Sequence, residues 1–148
     1  MKKFLCAILA ALMVLSMAAC SSSEPQTVVL TMEQNGVSID YQLDAKGDIV
    51  QKITQTTTMD CSAYTEDQIA AVEEAVAQYE AAYNAIEGVT YTAGLEDTDF
   101  EKTIIIDTTD EDTISELSAQ GLVPVEGEGL ISLEKTVELM KEQGFTEK

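Results

Sequence analysis

The chain contains no histidine, no arginine and no tryptophan, and each absence closes a class of function. Without an imidazole, a serine or cysteine nucleophile lacks its usual general base, so triad hydrolases are excluded. Zinc sites need Cys and His at close spacing, and three cysteines without histidine do not supply them. Positive charge is scarce as well: eight lysines stand against 27 acids, for a net charge of −19. A field of that sign repels phosphate backbones and excludes nucleic acid as a partner. Long apolar runs are also missing, apart from one at the N-terminus.

That run extends from Phe4 to Leu15, behind Lys2 and Lys3 and ahead of Ser16, Met17, Ala18 and Ala19. A basic start, a short apolar stretch and small residues before a cut form the layout of a signal peptide, and the stretch is too short for a permanent bilayer span. Cys20 follows directly, with Ser21, Ser22 and Ser23 behind it. This arrangement resembles a lipobox and tether. Residues 1–19 are therefore expected to be a lipoprotein signal peptide. Cys20 is expected to become the first mature residue, carrying a diacylglyceryl thioether. The expected location is the outer face of the cell membrane, or the outer membrane of a Gram-negative cell, and the covalent lipid is the only cofactor expected.

Removing residues 1–19 takes two of the eight lysines and none of the 27 acids, which leaves a net charge of −21. The 129 remaining residues are enough for one domain with a core. Residues 20–26 read as the lipidated cysteine and a polar tether, and residues 27–148 as a single domain. Cys6 leaves with the signal peptide and Cys20 is lipidated, so Cys61 has no partner for an intrachain disulfide.

Apolar residues alternate from Val28 to Met32 and from Val37 to Leu43 around Asn35–Gly36, the pair that favours a tight hairpin turn. Lys46–Gly47–Asp48 marks a second turn, after which Ile49, Ile53 and the threonines to Thr58 predict a third strand. Thr65 with Gln68 predicts a capping box. It opens a long helix with the apolar stripe Ile69, Val72, Val76, Tyr79, Tyr83 and Ile86, ended by Gly88. The stripe is expected to face the sheet, so that Val76→Asp would bury an unpaired charge.

Val89–Leu95 and Phe100–Thr108 predict two more strands. The unbroken Ile104–Ile106 predicts burial of the second on both faces. A short helix is expected over Asp110–Gln120, with a second capping box at Thr113 and Glu116 and a stop at Gly121. A loop covers 122–131, and a last helix is capped by Ser132 and ends near Gly144. The expected architecture is α+β: an antiparallel sheet of about five strands in the order βββαββαα, one long helix packed on it, and two shorter C-terminal helices.

Several strings resemble the YehR-like bacterial lipoproteins, a family whose function is not established. They are Lys46–Gly47–Asp48 with Val50, Gly88–Val89 through Tyr91–Thr92, and Glu138–Leu139–Met140–Lys141 followed by Gly144–Phe145–Thr146. The likeness spans nearly the whole mature chain. It implies a small α+β domain with an antiparallel sheet and carries over no catalytic residues.

Hard cations need only oxygen ligands, so the acidic clusters bear testing. Asp97, Asp99 and Glu101 fit positions one, three and five of an EF-hand, but Lys102 stands where glycine is required and Thr108 where glutamate is required. Asp107, Asp110 and Asp112, with Glu111, are a looser metal candidate. Their place ahead of a helix equally suits capping and the helix dipole. Carboxylate pairs of the glycosidase kind do not discriminate in so acidic a chain. Cys61 reads as a small half-buried residue, or alternatively as a redox-sensitive thiol. The tyrosines read as core or rim residues, with one or two available to line a ligand groove.

The reading these features support is a membrane-anchored, non-enzymatic domain that binds a ligand or another envelope component. Glu73, Glu74, Glu80 and Glu87 are its candidate face for a basic partner. Two other readings stay open: a cell-surface domain that binds divalent cations, and a small hydrolase that uses carboxylates alone.

Overall fold

The computed structural model describes residues 24–96, 98–119 and 130–148. The signal peptide, Cys20, Asp97, Gly121 and residues 122–129 of the expected loop lie outside the described residues.

Asn35 (φ 54°) and Gly36 (φ 79°) take the left-handed pair of conformations that a two-residue hairpin turn demands, joining β1 (Pro25–Gln34) to β2 (Val37–Lys46). The strand starts two residues earlier than Thr27, so Pro25 and Gln26 belong to the sheet rather than to the tether. Proline is tolerated there as the first residue of its strand. A second tight turn leads to β3 (Ile49–Asp60) and completes the antiparallel meander. The next elements are α1 (Glu66–Tyr83), β4 (Val89–Glu96), β5 (Asp99–Asp107), α2 (Glu111–Ala119), α3 (Leu133–Glu142) and β6 (Thr146–Glu147). The strands form one sheet in the order β4-β5-β3-β2-β1-β6.

The α+β class and the expected order of elements hold, with one strand added. Gly144 (φ 99°) turns the chain out of α3, and Phe145 drops into the core edge-on to Tyr41, ring centres 5.5 Å apart. Thr146 and Glu147 then fall against Thr31 and Leu30 of β1. Two residues are too few to show any alternation, so periodicity could not reveal β6.

The register aligns the inner face in rows that cross the sheet. One row is Val28, Leu43, Ile53, Ile106 and Val89; the next is Leu30, Tyr41, Gln55, Ile104 and Tyr91. Ile114 and Leu117 from α2, Leu133 and Met140 from α3, and Ile131 complete this one core. The opposite face has no helix over it among the described residues. Ile105 on that face is 38% exposed, which corrects the expected burial of β5 on both faces. Its neighbours across the sheet are Thr54 and Thr90, residues that suit a solvated sheet surface.

A bulge interrupts the third strand. Asp44 pairs with Lys52 and Ala45 with Val50, so Gln51 is an extra residue in β3. It resets the alternation and buries Val50 together with Ile53, while Ile49 is only half-buried.

The second turn has a structural task. The Asp48 carboxylate accepts hydrogen bonds from the Ser132 hydroxyl (2.8 Å) and the Glu134 N–H (2.9 Å), and the Asp48 carbonyl accepts from the Leu133 N–H (2.8 Å). It thus joins Ser132 in capping α3. The Glu134 N–H, then the Ser132 hydroxyl, holds the Asp48 carboxyl below its ordinary value of 3.8. Asp48→Ala should lower stability by about 1 kcal/mol at pH 7. Because the folded-state value is the lower one, this contribution is present above the unfolded value and is lost as the pH falls through the folded one. Urea denaturation of both chains at pH 7 and at acid pH checks it; a difference that persists unchanged into acid refutes the carboxylate's role.

Candidate functional site

The candidate site lies beneath α1. Thr65 caps this helix as expected: its hydroxyl accepts from the Gln68 N–H (3.3 Å), and the Gln68 side chain accepts from the Thr65 N–H (2.9 Å). The N-terminal approach is fastened to the sheet. The Cys61 N–H donates to the Thr98 carbonyl (2.8 Å), the Tyr64 hydroxyl meets the Met59 sulfur (3.4 Å), and Cys61 is buried.

The C-terminal end is fastened too. The Asn84 side chain donates to the Tyr91 carbonyl (3.2 Å) and accepts from the Tyr91 N–H (2.7 Å), while the Tyr83 and Tyr91 rings stack at 5.3 Å. Ile86 is buried just beyond. Gly88 (φ 78°) follows, in a conformation favouring glycine, where a Cβ would also stand 3.2 Å from the Thr113 methyl.

Between these fastenings the helix is not packed down. None of its 18 residues is fully buried. The half-covered positions are Ile69, Val72, Ala75, Val76 and Tyr83, so most of the stripe turns toward the sheet, but Tyr79, expected in it, is 55% exposed. Val76 is nevertheless not a core residue, which corrects the expected cost of placing a charge there. The residues under the helix centre are Ala93 in β4, too small to fill the gap, and Phe100 in β5.

The result is a groove of about 390 Å³ lined by Val72, Ala75, Val76, Tyr79, Tyr83, Tyr91, Phe100, Lys102 and Ile104. That volume is within the range of small-molecule sites. A second hollow of about 300 Å³ shares Val72, Val76 and Phe100 with it and reaches Glu73, Ala93, Gly94 and Leu95.

Polar groups in the groove are few. Lys102 lies on the inner face of β5 between Phe100 and Ile104, and burial lowers its affinity for a proton. The Tyr91 hydroxyl is held above its ordinary value, first by burial and then by Tyr83, Tyr79 and Glu80. Tyr41, deeper in the core, is shifted the same way by burial and by Tyr83. Three tyrosines, Tyr79, Tyr83 and Tyr91, thus line the groove. In the sequence Lys102 stands out as the residue that spoils an EF-hand pattern, not as a site residue. Its signal was the inward phase Phe100–Lys102–Ile104–Ile106, blurred by Ile105 within an unbroken apolar run.

The acidic candidates are placed differently. Glu73, Glu74, Glu80 and Glu87 are all exposed, the first three along α1 and Glu87 just past its end, with Glu73 at the mouth of the smaller hollow. Asp107 closes β5 and accepts from the Thr109 hydroxyl (2.6 Å) and N–H (2.9 Å). Asp110 accepts from the Thr113 hydroxyl (2.8 Å) and N–H (3.1 Å), and so caps α2.

The cap of α2 is therefore Asp110, not Thr113. Thr113 is buried in the third position, and its hydroxyl also reaches the Glu87 carbonyl. These bonds from Thr109 and Thr113 hold both carboxyls below their ordinary value. Asp112 is exposed in the first turn of α2. Among the described residues no group of three or more His, Cys, Asp or Glu side chains is arranged to hold a metal, so Asp107, Asp110 and Asp112 do not converge. No helix among the described residues is long and apolar enough to cross a membrane.

Comparison with known proteins places this architecture. The fold is similar to the solution structure of the YehR protein of E. coli (TM-score 0.65, 22% identity), with 84% of this chain and 91% of that one aligned. It is also similar to the solution structure of a protein from Streptococcus pneumoniae TIGR4 (TM-score 0.57, 13% identity), with 88% of each chain covered. No curated protein matches the sequence. A family described as protein of unknown function (DUF1307) matches residues 26–146, nearly the whole described domain. The chain belongs to this DUF1307 family, the YehR-like domains of unknown function.

Proposed function

We propose that this chain is a lipoprotein whose domain is a non-enzymatic binding module, held at the outer face of a membrane by lipid on Cys20, with its ligand site in the groove under α1. The observation that carries this reading is the helix fastened at both ends over an unfilled, aromatic-lined gap. A helix that served only to complete the core would bury its apolar stripe. Here Val72, Val76 and Tyr79 remain available to a ligand while the fastenings keep the helix in place. The absence of imidazole and guanidinium groups favours binding over catalysis. Glu73, Glu74, Glu80 and Glu87 give the same helix an acidic rim that suits a basic envelope partner.

Ala75 lines the groove and is small, so Ala75→Trp should fill the space without disturbing the core. The chain purified gently from membranes is expected to retain a small molecule in native mass spectrometry. Ala75→Trp is expected to lose it, and Ala77→Trp, at an exposed position of the same helix, to keep it. Equal occupancy in the two variants, or none in the unmodified chain, overturns the groove as the binding site.

A further inference from the structure

The groove holds a positive charge that the surrounding structure does not neutralise. Lys102 is half-buried on the inner face of β5, opposite Thr57 of β3 on one side and Ala93 of β4 on the other. Among the described residues the ion pairs use Lys52, Lys141 and Lys148, and none involves Lys102. Lys46 and Lys135 are also outside these pairs, but they are exposed, whereas Lys102 lines the groove. Glu101, the preceding residue of the same strand, alternates onto the opposite face, and Glu96 of β4 lies at the end of its strand, paired with Asp99.

Among the described residues Lys102 is the one charged side chain in the groove's lining, beside the wall formed by Phe100, Tyr91 and the α1 stripe. An anionic head there pairs with its ammonium, whereas a cation is repelled.

We infer that the groove takes an amphiphile with a single anionic head, a carboxylate or a phosphate monoester, bound by Lys102, its apolar body lying between the α1 stripe and Phe100. This rests on the reading of the groove as the binding site and adds the class of ligand. The partial burial that lowers the proton affinity of Lys102 fits a site where an anion restores the charged form. Specificity arises at short range from Lys102, because the overall field of the domain opposes anions.

Octanoate, octyl phosphate, octanamide and octylamine share one apolar body and differ in the head. Each is titrated calorimetrically into the full chain in phosphatidylcholine nanodiscs, with empty nanodiscs as the blank. Octanoate and octyl phosphate are expected to bind about tenfold or more tighter than octanamide, and octylamine weakest of all. Lys102→Met should abolish the preference while leaving octanamide affinity nearly unchanged, and Lys102→Arg should keep it. Octanoate and octanamide binding equally well overturns the anionic head but leaves the groove standing, as does an octylamine preference. Binding by none of the four overturns the groove and this assignment together.

Discussion

Leu43→Asp unfolds the domain at room temperature, whereas Val76→Asp leaves it folded. Leu43 has no exposed surface and sits mid-sheet between Val28 and Ile53, under the residues of α2 and α3. A carboxylate there has neither water nor a cation. Its burial, added to the lost apolar contacts, costs several kcal/mol, a large part of the roughly 5–15 kcal/mol that holds a domain together. Val76 lies on the apolar stripe of a better recognised element, yet it borders an open groove, so its substituted carboxylate stays hydrated and costs about 1 kcal/mol or less. Circular dichroism during urea titration separates the two. A cooperative native transition for Leu43→Asp, or loss of structure in Val76→Asp, contradicts the burial assigned to these positions. Val76→Asp also places a negative charge in the groove, where it should weaken the binding of an anionic ligand without unfolding the chain.

The contrast between these positions shows what the sequence carries and what it does not. The first hairpin is legible because Asn35–Gly36 requires positive φ at two successive residues and the flanking apolar residues alternate in step. The start of α1 is legible because both halves of its capping box lie within four residues. Features built from distant pieces are not. Asp48 and Glu134 are 86 residues apart, so a turn aspartate gives no sign that it caps a helix near the other end of the chain. The bulge at Gln51 exists only relative to the partner strand.

The site follows the same rule. The stripe of α1 announces a helix with one apolar side, but the depth to which that side sinks depends on what stands beneath it. Ala93 in β4 leaves the space open, and nothing in the helix itself records its size. Lys102 is hidden for a related reason: a charge inside an apolar alternation reads as an interruption until pairing places it on the inner face, in the lining of the groove. The groove is thus a property of two elements that meet imperfectly, and each looks ordinary alone.

Cys20→Ser releases the domain from the membrane or leaves an uncleaved precursor behind. On the proposed reading the anchor is the lipid alone, for three reasons. Each buried acyl methylene contributes about 0.8 kcal/mol, so several chains on one cysteine are enough to hold a soluble domain, and serine offers no thiol to accept them. No helix among the described residues can replace the anchor by crossing the bilayer. Electrostatics works against retention, since loss of residues 1–19 leaves 27 acids facing six lysines, and anionic head groups repel such a surface. Fractionation of cells expressing each form, followed by the mass of the recovered chain, reads both outcomes. The unmodified chain is expected in the membrane fraction, cleaved after Ala19 and heavier than its polypeptide by the mass of the lipid. The serine form is expected in the soluble fraction, or in the membrane with residues 1–19 still attached. Equal membrane retention with equal processing in the two forms removes the lipid anchor from the account. It would leave the groove under α1 to be explained without a tether that concentrates it at a lipid surface.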